Sequence, residues 1–169
     1  MSPPAKKTAA KKSVAKKTAR RKAVPKGPGV EELKFGIDSA WERRTMLTLD
    51  EIDGSTRPLV NLVIDRIESG EYRVAEPDGK GGWKVNEWLK KAVLLYFRTQ
   101  DMEVIDGAPA PFWDKVPARF QDFDESQFRK AGVRVVPGAI ARRGCHIAKD
   151  VVLMPSFVNI GAHVGEGTM

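Results

Sequence analysis

The chain has 169 residues, 41% of them apolar, with 29 Lys and Arg against 22 Asp and Glu for a net charge of +7. That length and apolar fraction suit one domain with appendages and supply enough side chains for a core, which excludes a wholly disordered polymer. A single cysteine, Cys145, excludes an internal disulfide, and no stretch has the apolar run of a secretion signal or a membrane span, so the default expectation is a reducing, cytoplasmic setting.

The charge is unevenly spread. Residues 1–26 hold ten Lys or Arg (6, 7, 11, 12, 16, 17, 20, 21, 22 and 26) and no Asp or Glu, which leaves the remainder at −3. The tail repeats every five residues, as "AKKTA", "AKKSV", "AKKTA" and "RRKAV", and resembles the Lys/Ala-rich tails of histone-H1-like proteins. So many like charges with few large apolar groups cannot bury surface to offset chain entropy, so residues 1–29 are expected to form a disordered tail. Two readings stand side by side: residues 6–26 neutralise nucleic-acid phosphates without sequence preference, or they form a solubilising extension. The hinge "VPKGPG" closes this segment near residue 29.

Residues 30–132 carry the punctuation of a mixed α/β domain. "EELKFGIDSAWERR" is a first predicted helix and "RPLVNLVIDRIESG" a second, in which Leu59, Val60, Val63, Ile64 and Ile67 share one face, Pro58 suits the first turn and Gly70 the position past the end. "EYRVAEPDGKGGWKV" alternates around a turn-rich middle and predicts a hairpin. "NEWLKKAVLLYFR" predicts a buried helix with Asn86 able to cap it. "DMEVIDGAPAPFWDKVPARF" reads as one strand and a Pro-interrupted connection. In "DFDESQFRKAG", Asp124 and Gln127 stand at capping-box spacing and Gly132 marks the stop. No catalytic pair is evident, and the tryptophans at 41, 83, 88 and 113 are read as packing residues.

From Val135 the sequence falls into hexads: "VVPGAI", "ARRGCH", "IAKDVV" and "LMPSFV", then Asn159 as one extra residue, then "IGAHVG". First positions (Val135, Ala141, Ile147, Leu153, Ile160) and fifth positions (Ala139, Cys145, Val151, Phe157, Val164) are small or apolar, while the residues between them have the chemistry of bends. Neither a helical period nor a plain two-residue alternation produces this spacing. Short strands joined by corners do, and residues 133–169 are expected to begin a parallel β-helix.

The run "RVVPGAIARRGCHIAKDVVLMPSFVNIGAHVGEGTM", with "GEYRVAEPDGKGGWKVNEWLKKAVLLYFR" and "FWDKVPARFQDFDESQFRKAG", resembles tetrahydrodipicolinate N-succinyltransferases over residues 33–169 and not over the tail. The resemblance implies a homotrimer in which an α/β N-terminal domain precedes a left-handed parallel β-helix of hexapeptide repeats. It implies succinyl transfer from succinyl-CoA, a co-substrate and not a resident cofactor, to tetrahydrodipicolinate in lysine and diaminopimelate biosynthesis, at sites between neighbouring solenoids. The substrate-binding arginine of the family falls on Arg134, whose alternative is a surface ion pair. The family's active-site aspartate is expected beyond Met169, which leaves the catalytic and CoA-binding residues of this chain unknown. Just under two coils are legible, so the expectation is a truncated enzyme, inactive as it stands. The rival reading is a non-enzymatic nucleic-acid-binding protein acting through its tail.

Two positions depart from the family pattern: Gly165 replaces an acidic residue before "EGTM", and His146 replaces an aromatic residue before "IA". His146, at a sixth position, and His163, at a bend, are expected to face outward. With no third histidine, zinc is not expected. Cys145, at an inward position, is read as a small core residue and not a nucleophile.

Overall fold

A computed structural model describes residues 27–107 and 110–169; the expectations for the basic tail, nucleic-acid contact through residues 6–26 included, lie outside the described residues. Helix α1 (Val30–Glu42) buries Leu33, Ile37 and Ala40, one stripe at helical spacing, and carries Glu31 and Glu32 in its first turn, where the helix dipole favours them. A single turn, α2 (Leu49–Glu51), begins with a Thr48/Glu51 capping box. It continues through a π-helical segment (Ile52–Thr56) into α3 (Arg57–Glu68). Val60, Val63, Ile64 and Ile67 of α3 are buried as the periodicity predicts, and Leu59 is half-buried against Gly36 of α1. A Cβ at Gly36 would lie 2.8 Å from a Leu59 methyl, so α1 and α3 meet where a side chain is absent.

Strands β1 (Ala75–Pro77) and β2 (Trp83–Val85) form the expected hairpin, its turn closed by the Asp78 carboxylate, which accepts from the Lys80 and Gly82 amides at 2.7 and 2.9 Å. Helix α4 (Glu87–Thr99) completes the core with Trp88, Leu89, Ala92, Leu95 and Tyr96. Asn86 stands at its N-cap but does not cap it: the side-chain amide donates to the Arg73 carbonyl and the Glu76 carboxylate at 2.8 and 3.1 Å, tying the helix to the hairpin instead. Lys115 donates to the carbonyls of Phe97 and Gln100 at 3.0 and 2.9 Å, satisfying the C-terminal end of α4.

Where one strand was expected there are two, β3 (Glu103–Ile105) and β4 (Phe112–Asp114), paired antiparallel as a second hairpin. The packing role of the tryptophans also needs correction. Trp88 is buried, edge-on to Tyr72 at 5.5 Å, and Trp41 is half-buried, but Trp83 and Trp113 are 66% and 63% exposed on the two hairpins. Helix α5 (Glu125–Ala131) starts at the Asp124/Gln127 capping box and ends at Gly132, whose φ of 66° turns the chain into the last region.

That region contains three parallel ladders of two-residue strands. Arg134–Val135 (β5) lies beside Val152–Leu153 (β8), Ile140–Ala141 (β6) beside Phe157–Val158 (β9), and His146–Ile147 (β7) beside His163–Val164 (β10). Each strand lies on the one a coil earlier. The coil repeat is eighteen residues in the first ladder and seventeen in the other two. The corners turn through positive φ at Gly138, Gly144, Asp150, Gly161 and Gly167.

This register corrects the hexads. Ala141 pairs with Val158 and not with the position of Ile160, so Asn159 is no insertion; the unit beginning at Leu153 is one residue short. Its corner contains no positive-φ residue, and the Ser156 hydroxyl donates to the Met154 carbonyl at 2.6 Å, closing the tighter bend. Phe157 consequently points outward, 58% exposed, and Ile160 leaves the coil interior to join the helical core. Inside the coils, Ala141, Cys145, Ile147, Val151 and Leu153 form a second buried cluster. Among the described residues no helix is long and apolar enough to cross a membrane.

Candidate functional site

In two-residue strands one side chain enters the coil and the other leaves it, so each ladder offers one outward row. The first row holds Arg134 and Val152, the second Ile140 and Phe157, the third His146 and His163. Their surroundings differ, and so do their chemical prospects.

Arg134 opens the first row. Its backbone amide is fixed by the Val151 carbonyl at 3.0 Å, two residues after the left-handed stop at Gly132, so the strand is anchored at this residue. Its side chain is exposed and has no hydrogen-bonding or ionic partner among the described residues. Among the described residues Arg134 forms no surface ion pair. A guanidinium held on a regular strand with all its donors unspent can grip a planar carboxylate through two parallel hydrogen bonds.

The second row faces hairpin β3–β4 across an apolar groove of about 450 Å³, walled by Phe112, Trp113, Val116, Ile140 and Phe157. Arg142 at its edge is already committed: it donates to Asp114 at 2.6 Å and Asn159 at 3.2 Å, and its guanidinium lies 5.4 Å from the Phe157 ring centre. It braces the hairpin against the coils and does not compete with Arg134 for an anion.

The third row is covered by the helical domain. Arg143 donates to Asp65 at 2.6 Å, to Asn61 at 3.2 Å and to the Tyr96 hydroxyl at 3.1 Å; the Gly144 amide donates to the Glu68 carboxylate at 2.6 Å. Arg119 bridges the same carboxylate at 3.1 Å and the Cys145 carbonyl at 2.7 Å. None of these acceptors on α3 could be picked from the sequence, because Asn61, Asp65 and Glu68 look like the polar face of an amphipathic helix. His146 and His163 do leave the coil as expected, but into this seam, where both are half-buried with rings stacked at 4.5 Å. His163 lies on strand β10 and not at a bend. Cys145 is wholly buried, and burial pushes its thiol up to about 11, the chemistry of a core residue.

Residues 32–99 match a family described as Tetrahydrodipicolinate N-succinyltransferase N-terminal. Relatives named 2,3,4,5-tetrahydropyridine-2,6-dicarboxylate N-succinyltransferase include one from Xylella fastidiosa, 67% identical over 137 residues covering 81% of this chain and 50% of the relative. Another, from Methylobacterium sp., is 56% identical over 140 residues, 82% of this chain and 50% of the relative; a third, from Idiomarina loihiensis, is 51% identical over 140 residues, 83% and 51%. The chain spans about half the length of the curated relatives it matches, and over that half it is similar to tetrahydrodipicolinate N-succinyltransferases.

Proposed function

We propose that this chain contributes the acceptor-binding part of a succinyltransferase. Succinyl-CoA is the donor and tetrahydrodipicolinate the acceptor; the acceptor nitrogen attacks the thioester carbonyl, the C–S bond breaks, CoA leaves as the thiol, and water opens the ring to give N-succinyl-2-amino-6-oxopimelate. Arg134 holds one acceptor carboxylate as a bidentate pair, fixing the nitrogen's approach to the thioester. The observation that carries the reading is Arg134 itself, outward on an anchored strand and unpaired among the described residues, in a chain similar to these enzymes.

On this reading residues 133–169 open a left-handed parallel β-helix of hexapeptide repeats, supported by the seventeen- to eighteen-residue coil and its glycine corners. The protein works as a homotrimer, supported by the exposed apolar row of Ile140 and Phe157 beside Phe112 and Trp113. A highly charged CoA thioester as donor carries a cytoplasmic setting with it.

The test is Arg134→Ala in the polypeptide at the length of its relatives, followed by CoA release. The KM for tetrahydrodipicolinate should rise by about tenfold or more, the loss of a charge-assisted pair, with the KM for succinyl-CoA little changed. Equal effects on both substrates, or none, would give Arg134 a structural role only.

A further inference from the structure

The succinyl transfer proposed above assigns no role to the histidines of the third row, and their geometry is distinctive. His146 and His163 are Cα partners on neighbouring coils, with ring centres 4.5 Å apart and planes within 28° of parallel. Rings stacked in this way point their in-plane lone pairs side by side and not toward a common point, so the pair does not suit a chelated metal.

Its surroundings instead penalise a second proton. His146 Nδ1 lies 3.0 Å from the carbonyl of Glu68, the last residue of α3. A carbonyl only accepts, so Nδ1 carries the hydrogen and Nε2 is the nitrogen that can gain one. The ring fills a slot against Gly70, where a Cβ would come within 2.6 Å of it and where φ is 85°. His163 Nδ1 is buried with no partner among the described residues. The charges that act on His163 are positive, Arg73 and its own stacked partner, while the Glu68 carboxylate is paired with Arg119 and accepts from the Gly144 amide.

We propose that the stacked His146–His163 pair is a proton-sensitive latch on the seam between the helical domain and the coils, closed while the pair holds at most one proton and loosened when both rings are charged. Two imidazolium rings at this distance repel, and the recoil of His146 acts on Gly70 and on the Glu68 carbonyl, beside the carboxylate that holds Gly144. The direction of His163 agrees: burial first, then Arg73 and His146, pushes it below the ordinary imidazole value. Its neutral form is therefore favoured by folding. The stability it contributes is present above the unfolded value of about 6.5 and is lost as pH falls from there toward the folded value.

Denaturant unfolding of the 169-residue chain between pH 7.5 and 5.5, above the range in which ordinary carboxylates titrate, tests the latch against His163→Phe. The folding constant of the unsubstituted chain should fall several-fold more over this interval than that of the variant. Parallel pH profiles would overturn the proposal. Amide exchange in the unsubstituted chain supplies a readout that needs no variant. Corrected for intrinsic rates, the Gly144 amide should lose protection on acidification while that of Arg142, bonded to the Val158 carbonyl at 2.9 Å on the second face, keeps it. Equal behaviour of the two amides would count equally against the latch.

Discussion

Asp150 is the one non-glycine residue with positive φ among the described residues, at 59° in a corner where Gly132 and Gly167 have 66° and 70° on the coils before and after. The three line up because the Asp150 amide donates to the Gly132 carbonyl and the Gly167 amide to the Lys149 carbonyl, at 2.8 and 3.1 Å. Aspartate tolerates this conformation better than most side chains, which is why the corner reads as a bend without a glycine. Cys145 shows the opposite legibility: its inward position follows from spacing alone, but its chemistry follows from packing. With the thiol raised to about 11, roughly a thousandth is thiolate at pH 8, and what exists is enclosed. Labelling by a thiol reagent at pH 8 should therefore wait on unfolding and accelerate by orders of magnitude in denaturant. Prompt stoichiometric labelling of the folded chain would show that the coil interior is open.

The helices were readable because their signals are local: a 3.6-residue apolar stripe in α1, α3 and α4, and a capping box with a glycine stop in α5. Hairpin β3–β4 was not, because the prolines of "DGAPAP" look like a connection, and pairing between Val104 and Trp113 is a non-local fact. The hexads sit between these cases. Spacing revealed the coil but not where one residue had been lost, since a surplus Asn159 and a shortened Leu153 unit place the same apolar letters almost equally well; only strand pairing separates them. Arg134 is singled out by family resemblance alone, whereas Glu68 and Asp65 acquire meaning only when the third face arrives against α3. The corners themselves can be tested. At Gly144, φ is 81° and a Cβ would come within 2.7 Å of an Ile64 methyl and 2.8 Å of Ile160, whereas Gly79, at φ 75°, has open space around it. Gly79→Ala should cost about 1 kcal/mol from backbone conformation alone. Gly144→Ala adds overpacking and should cost about 3 kcal/mol, compared by denaturant midpoints. Equal costs would mean that the seam yields freely.

At the scale of the molecule, the three faces of the coils divide the labour: one presents Arg134, one is sealed by the helical domain, and one leaves an apolar row in the open. That row belongs, on the proposed reading, against another copy of the chain. Phe157→Asp should lower the assembly mass by light scattering while leaving helix content intact, because Phe157 lies outside both buried clusters. An unchanged mass would move the contact to another face. The seam has a different consequence. Ile160 belongs to the second coil by its place in the chain but to the helical core by burial, and at Gly161 beside it an added Cβ would lie 3.3 and 3.4 Å from the Val93 and Val74 methyls. A boundary near residue 132 thus divides the sequence without dividing the free energy: the helices lack a wall until a residue 28 places further on is in position. The coils, whose strands pair only with the turn before or after, gain from the helices a ready-made template on which to wind. Folding in such a molecule is one cooperative event, and a helical half released from its coils carries a vacancy where Ile160 should be.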